Sequence, residues 1–374
     1  MRRQALRQRV GEALVTICRG GRPTFPDELL ALGHLFTGDL VAGARYHRIA
    51  PLAHVALRAQ HPELAALFED DRTAAVSRHL HVTARLGALA DTLSGLRWLT
   101  FKGPVLSEFA HPVPGLRFYK DLDVLVSPAN FREACTRLLD EGWRVLLSAE
   151  SLESEELPGE LAFADRNGLV LDLHWAMVVS RSVRSRFTSD ADALLARRRP
   201  VTLGPTALST LSHEDAVVHV ALHAALIGAT KLGHLLDADQ LARQVDDWDA
   251  VVQRAGEWGA PVEVAAVLGR AERILGTRLP ADLAARLGVG AGMRRLLAEL
   301  DRRRPVQRLR GDASVARLVT RALRPGLAAT GGRALQRAAS GVSHRIVRRA
   351  EPARNPTTPE VLDAYLARVE TAAS

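Results

Sequence analysis

Lysine is almost absent from the chain. It occurs at Lys102, Lys120 and Lys231 only, and arginine supplies nearly all of the 50 basic residues. A composition that uses arginine for generic positive charge retains lysine where a compact, flexible ammonium is needed, so these three positions stand out. Cysteine is equally scarce: Cys18 and Cys135 are far apart and unclustered, which excludes a disulfide framework or a cysteine metal site and fits a reducing compartment. No run approaches the roughly 20 apolar residues that span a bilayer, since the longest candidate, 216–229, carries His219 and His223. The basic N-terminus has a short apolar stretch interrupted by Glu12, unlike a signal peptide. Together these absences predict a soluble, cytoplasmic protein without a membrane span.

What is present is a globular composition, with 47% hydrophobic residues over 374 positions and a net charge of +8. That length allows two or three domains, and the charge favours anionic partners such as nucleotides or nucleic acid without choosing among them. Residues 1–95 have helix-spaced apolar positions, and 79–94 reads as one amphipathic helix. From 96 the period shortens. The segment 99–101 reads as a strand, Pro104 suits the first turn of a helix, 121–126 is a strand, Ser127-Pro128 opens a helix over 128–140, and 143–147 is another strand. An acidic stretch, 149–160, reads as a loop or short helix. Asp165-Arg166-Asn167-Gly168 separates two apolar runs as a hairpin turn. After about 200 the pattern returns to helix, with Ser212 opening a capping box and further helices over 231–245, 247–257, 260–275 and 280–300. The fold expected is α+β: a helical region (1–95), a small mixed-sheet core (96–203), a helical domain closing the cleft (204–300) and a basic, helical or partly disordered C-terminal region (301–374).

The chemistry concentrates in 101–123 and 169–175. Asp121 and Asp123 alternate with apolar residues in DLDVLV, so their side chains leave one face of a strand with Cα atoms about 7 Å apart. Two carboxylates on one face ask for a cation. Asp172, between Leu171 and Leu173, adds a third from a neighbouring strand, and such an oxygen set suits magnesium carrying a nucleotide's phosphates. Lys102-Gly103-Pro104 reads as a strand ending in a tight turn into a helix, where phosphate can meet backbone N–H groups.

The ordered set Lys102-Gly103, Arg117, Asp121-Leu122-Asp123 and Asp172-Leu173-His174-Trp175 resembles the DNA polymerase β type nucleotidyltransferase superfamily, and within it the bacterial branch of uncharacterised nucleotidyltransferases. Glu214-Asp215 to His223, Leu235-Leu236-Asp237 and Asp247-Trp248 resemble that branch too, so the likeness runs over roughly 80–250. It implies two magnesium ions held by the catalytic carboxylates Asp121, Asp123 and Asp172, with a nucleoside triphosphate as substrate. It also implies a nucleotide-binding set of Lys102, Gly103, Arg117, Lys120 and His174. Better-known superfamily members carry Gly-Ser or Gly-Gly in the turn; here Pro104 follows Gly103 and offers no N–H, which shifts phosphate gripping towards Lys102 and Arg117.

His219 and His223 are four apart on one helix face, a zinc-compatible spacing, but Val220 stands where a zinc protease carries its glutamate. They are expected to face or pack against the cleft, with Lys231 and Asp237 beside them. Trp175 is expected in the core. The function expected is magnesium-dependent transfer of a nucleoside monophosphate from a triphosphate to an acceptor hydroxyl or phosphate, in the first instance on a small molecule or natural-product intermediate. Three alternatives stand beside it: modification of a protein side chain or tRNA end, a catalytically degenerate nucleotide-binding scaffold, and a structural nucleic-acid binder. The stretch 302–350 has many arginines and Asp312 as its single acid. It keeps RNA open as a partner, although it lacks the aromatic interleaving used for stacking single strands.

Overall fold

The computed structural model describes residues 3–303, 315–347 and 357–373. A five-stranded mixed sheet forms the middle of the chain, built from β1 (Trp98–Phe101), β2 (Asp121–Val126), β3 (Arg144–Val145), β4 (Glu160–Ala164) and β5 (Val170–His174) in the spatial order β1-β2-β5-β4-β3. Strands β2 and β5 pair in parallel, and every other pairing is antiparallel. Parallel pairing requires a crossover, which here comprises the helix Phe131–Asp140, β3 and β4. With helices before and after the sheet, the fold is α+β, as expected.

Each face of β2 has its own task. Leu122, Val124 and Val126 are buried in a cluster behind the sheet, together with Phe131, Ala134, Cys135 and Leu138 of the crossover helix. Trp175 joins the same cluster, its indole N–H donating to the Tyr365 hydroxyl of the helix Pro359–Ala373. On the other face, Leu125 and Phe101 belong to a larger cluster formed by the helices Arg3–Cys18, His34–Tyr46 and Ala50–Leu57 together with His213–Leu226, Leu232–Ala242 and Pro261–Leu275. Each leucine or valine so buried stabilises the fold by about 1.5–3 kcal/mol.

Turn chemistry sets the register. The β4–β5 hairpin has a three-residue loop, Arg166-Asn167-Gly168. The Asp165 carboxylate accepts from the backbone N–H groups of Asn167 (2.8 Å) and Leu169 (2.9 Å), and Gly168 takes φ +79°, a left-handed value that glycine adopts without a Cβ clash. The return to helix after 200 is delayed by an unexpected second hairpin, β6 (Arg199–Leu203) and β7 (Thr206–Thr210). Gly204, at φ +57°, and Pro205 make its two-residue turn. Glycine at the first central position is the mark of a type II′ hairpin, so the alternating run RPVTL-GP-TALST carried a signal that outweighed the helical reading. The strand expected over 143–147 shortens to Arg144–Val145, and the 280–300 helix divides into Leu283–Arg286 and Ala291–Arg302. Ser212 caps His213–Leu226, accepting from the Asp215 N–H, while the Asp215 carboxylate receives Arg197 and the Trp258 indole N–H.

Of the arginine-rich stretch 302–350, residues 304–314 and 348–350 lie outside the described residues; the rest contains the helices Val315–Arg321 and Leu327–Val347. Among the described residues, no helix is long and apolar enough to cross a membrane.

Glu263 is buried in Pro261–Leu275, and burial pushes its carboxyl up to about 7 from the ordinary 4.5. The folded state therefore holds this proton more tightly than the unfolded chain, and the stability it contributes below pH 4.5 is lost as pH rises towards 7. Glu263→Gln is expected to leave stability near pH 4.5 unchanged and to raise it at pH 8 by up to about 3 kcal/mol. Urea unfolding at the two pH values checks this; an equal effect at both refutes the buried-acid account.

Candidate active site

The free face of β2 and β5 opens into a cavity of about 1120 Å³. Register brings the acids together: Asp123 pairs with Asp172 across the parallel strands, and Asp121 precedes Asp123 by two residues on the same face. All three carboxylates line the cavity. Asp123 is 4% exposed and accepts from Lys102 Nζ at 2.8 Å and His174 Nε2 at 3.2 Å. Burial alone would raise its pKa; the ammonium of Lys102 and the hydrogen bond from His174 outweigh burial and hold it well below the usual carboxylate range. Asp172 goes the other way. Burial, and then the negative charge of Glu160, push it up to about 7.

Lys102 sits between β1 and the helix Gly103–Phe109 with φ 52°, ψ −121°, a backbone region in which a residue with a Cβ is strained by about 1–3 kcal/mol. This turn brings the lysine back over the sheet, where its ammonium also lies 5.1 Å from the Phe101 ring centroid. Gly103 is a packing requirement as much as a phosphate turn: a Cβ there would lie 3.1 Å from the Asp121 carbonyl oxygen and 3.3 Å from the Tyr119 ring.

His174 is buried and bridges two acids. Its Nδ1 lies 3.2 Å from Glu160 Oε2, close enough for an ion pair though not aligned as a hydrogen bond. Burial disfavours the imidazolium, but Glu160 and Asp123 outweigh it and raise the His174 pKa. Sequence reading missed Glu160, although counting back from the Asp165–Leu169 closure puts it opposite His174.

Arg117 lines the cavity but is already engaged: its Nε and Nη2 donate to the two Asp237 oxygens at 2.8 and 2.9 Å, tying the loop before β2 to Leu232–Ala242. The guanidinium expected to grip phosphate is thus held in a bidentate pair with Asp237. Burial works against its charge and Asp237 more than compensates, raising its pKa. The arginine that sequence missed is Arg48, from the N-terminal helices. It also lines the cavity, 5.8 Å over the Phe118 ring and with Nη1 3.4 Å from His234 Nε2. Nothing in the sequence around Tyr46-His47-Arg48 marks it.

His219 and His223 do face the cavity, and His234 completes the row, with ring centroids 6.1 Å (His219–His223) and 5.7 Å (His223–His234) apart. Burial and the nearby cations keep all three neutral, with His223 lowered to about 3. His219 Nε2 and His234 Nδ1 are buried without a hydrogen-bond partner. Lys120 is exposed at the rim. Lys231 lies 5.6 Å over the Tyr46 ring, and neither Lys231 nor Asp237 lines the main cavity.

Asp121, Asp123 and Asp172 offer hard oxygen donors on one face, the donor type that magnesium takes. Among the described residues, no three His, Cys, Asp or Glu side chains are drawn together as a ready metal cluster. Asp123 is neutralised instead by Lys102, so cation binding here requires that ammonium to give way.

Removing one partner of a buried ion pair leaves an uncompensated charge. Asp237→Asn is therefore expected to cost about 3–5 kcal/mol in urea unfolding, and Arg117→Met/Asp237→Leu should recover most of the loss. An unchanged midpoint in Asp237→Asn refutes the structural role given to this pair.

No curated protein matches the chain. A family model described as uncharacterised nucleotidyltransferase matches residues 37–276, more than half of the sequence. The match is wider than the motif likeness over 80–250, reaching back into the N-terminal helices that supply Arg48 and forward through Pro261–Leu275. The chain belongs to this uncharacterised nucleotidyltransferase family, and the protein is a transferase enzyme.

Proposed function

We propose that the enzyme moves a nucleoside monophosphate from a nucleoside triphosphate to a hydroxyl or phosphate oxygen of a small acceptor, with magnesium as its cofactor. The observation that carries this reading is the in-register placement of Asp121, Asp123 and Asp172 on the cavity face of β2 and β5. These three carboxylates would hold the metal. When bound, magnesium supplies positive charge against the triphosphate and acidifies the acceptor hydroxyl.

The chain's own residues do the rest. Asp172, which lines the cavity and pairs across the strands with Asp123, would accept the acceptor's proton. The acceptor oxygen then bonds to the α-phosphorus as the bond to the β-phosphate bridging oxygen breaks, and pyrophosphate leaves with that electron pair. Lys102, which balances Asp123 in the free protein, is placed to follow the departing phosphates. His174, paired on its other side with Glu160, orients Asp123. Arg48 and Lys120 add positive charge along the same wall.

Calorimetry with each of the four nucleoside triphosphates in magnesium is expected to show binding to the wild type, weakened at least tenfold by Asp121→Asn/Asp123→Asn. Binding that ignores magnesium or the substitutions overturns the carboxylate site. Asp172→Asn is expected to reduce pyrophosphate release by roughly 10²–10⁴-fold, as for loss of a general base, while the triphosphate still binds. Turnover within tenfold of wild type would remove Asp172 from that role.

A further inference from the structure

The cavity has a second charged wall. The helices Val315–Arg321 and Leu327–Val347 bring Leu318, Arg321, Arg333, Gln336 and Arg337 onto it. Arg333 and Arg337 are four residues apart and so share a helix face. Nothing acidic occurs between 315 and 347. Arg321 donates to the Leu226 carbonyl oxygen at 3.0 Å and Arg333 to Gln336 Oε1 at 2.5 Å; among the described residues neither meets a carboxylate. The Arg333 Nε is buried without a hydrogen-bond partner. Arg337 feels the crowding: burial and the charges of Arg321, Arg333 and Arg324 lower it to about 10.

Arg321 and Arg333, two guanidinium groups on one wall of the cavity that meet no carboxylate among the described residues, are completed by an anion, and guanidinium forks fit phosphate oxygens in pairs. On the proposed reading the nucleotide's own phosphates would lie at the carboxylate wall, held there by magnesium and Lys102. The family match ends at 276, before any of these arginines, so they lie outside the part of the chain that the family has in common. We propose that Arg321, Arg333 and Arg337 form a phosphate-binding subsite for the acceptor, and that the second substrate is a small molecule carrying a phosphate group. This rests on the nucleotidyltransferase reading of the carboxylate wall and adds the class of acceptor to it. Leu318, Leu226 and Ile227, which line the same cavity, give the body of the acceptor an apolar surface beside its phosphate.

The test uses the full chain and inorganic phosphate as the probe, by calorimetry, first alone and then with a saturating non-hydrolysable nucleoside triphosphate analogue and magnesium. Phosphate is expected to bind in both conditions, to weaken at least tenfold in Arg333→Gln/Arg337→Gln, and to weaken less in Arg333→Lys/Arg337→Lys, which keeps the charge but loses the fork. The analogue itself should still bind the glutamine variant. Displacement of phosphate by the analogue would assign the arginines to the nucleotide's polyphosphate and overturn the proposal. So would phosphate binding that survives the glutamine substitutions, or a short single-stranded RNA binding more than tenfold tighter than phosphate through the same arginines. A wild type that binds phosphate but no triphosphate would sink the nucleotide reading and leave the anion subsite standing, so the two failures are distinguishable.

Discussion

Asp123 is 4% exposed on an interior strand of a five-stranded sheet, and a carboxylate so placed costs several kcal/mol unless cations and donors replace its lost water. Lys102 reaches it only because the backbone accepts a strained turn at the end of β1. His174 reaches it from the neighbouring strand, and holds enough positive charge to do so because Glu160 stands across the hairpin. Phe101 packs edge-on against both His174 and His219, at 5.2 and 5.1 Å between ring centroids, so the helix His213–Leu226 is fitted against the same network. Removing the acid would leave a lysine, a histidine and a strained turn without their purpose.

Sequence made the carboxylate face legible because strand alternation is a short-range rule: DLDVLV fixes which way Asp121 and Asp123 point whatever the rest of the chain does. Asp172 followed from the same rule, and the retained Lys102 from composition. The partnership of Arg117 with Asp237 was out of reach, since the two are 120 positions apart and no periodicity links them. Arg48 was hidden for the same reason. Glu160 and the β6–β7 hairpin are a different kind of omission, because hairpin counting and the Gly204-Pro205 turn were present in the sequence and were overridden by an acidic-loop reading and a helical reading. The arginines of 302–350 were visible as charge, but whether they faced solvent or a cavity depended on how Val315–Arg321 lies against His213–Leu226.

The cavity keeps its charges apart by a neutral partition. His219, His223 and His234 stay uncharged because burial and nearby cations disfavour a further positive charge. They therefore present hydrogen-bonding nitrogen atoms without adding to the cationic field of Arg48, Lys102 and the C-terminal arginines. A polar ligand can be oriented by such atoms over a wide pH range, because their protonation state does not change near neutrality.

The loop at 166–168 contains no residue that touches the cavity, yet its length decides what the cavity contains. With three residues between Asp165 and Leu169, Glu160 faces His174. Strand side chains alternate with period two, so a one-residue change in spacing reverses faces. A loop one residue longer would take Glu160 out of register with His174 even with every acid and histidine of the site unchanged. In this chain the length of the β4–β5 loop therefore decides which side chain stands opposite His174 as surely as the identity of that side chain does.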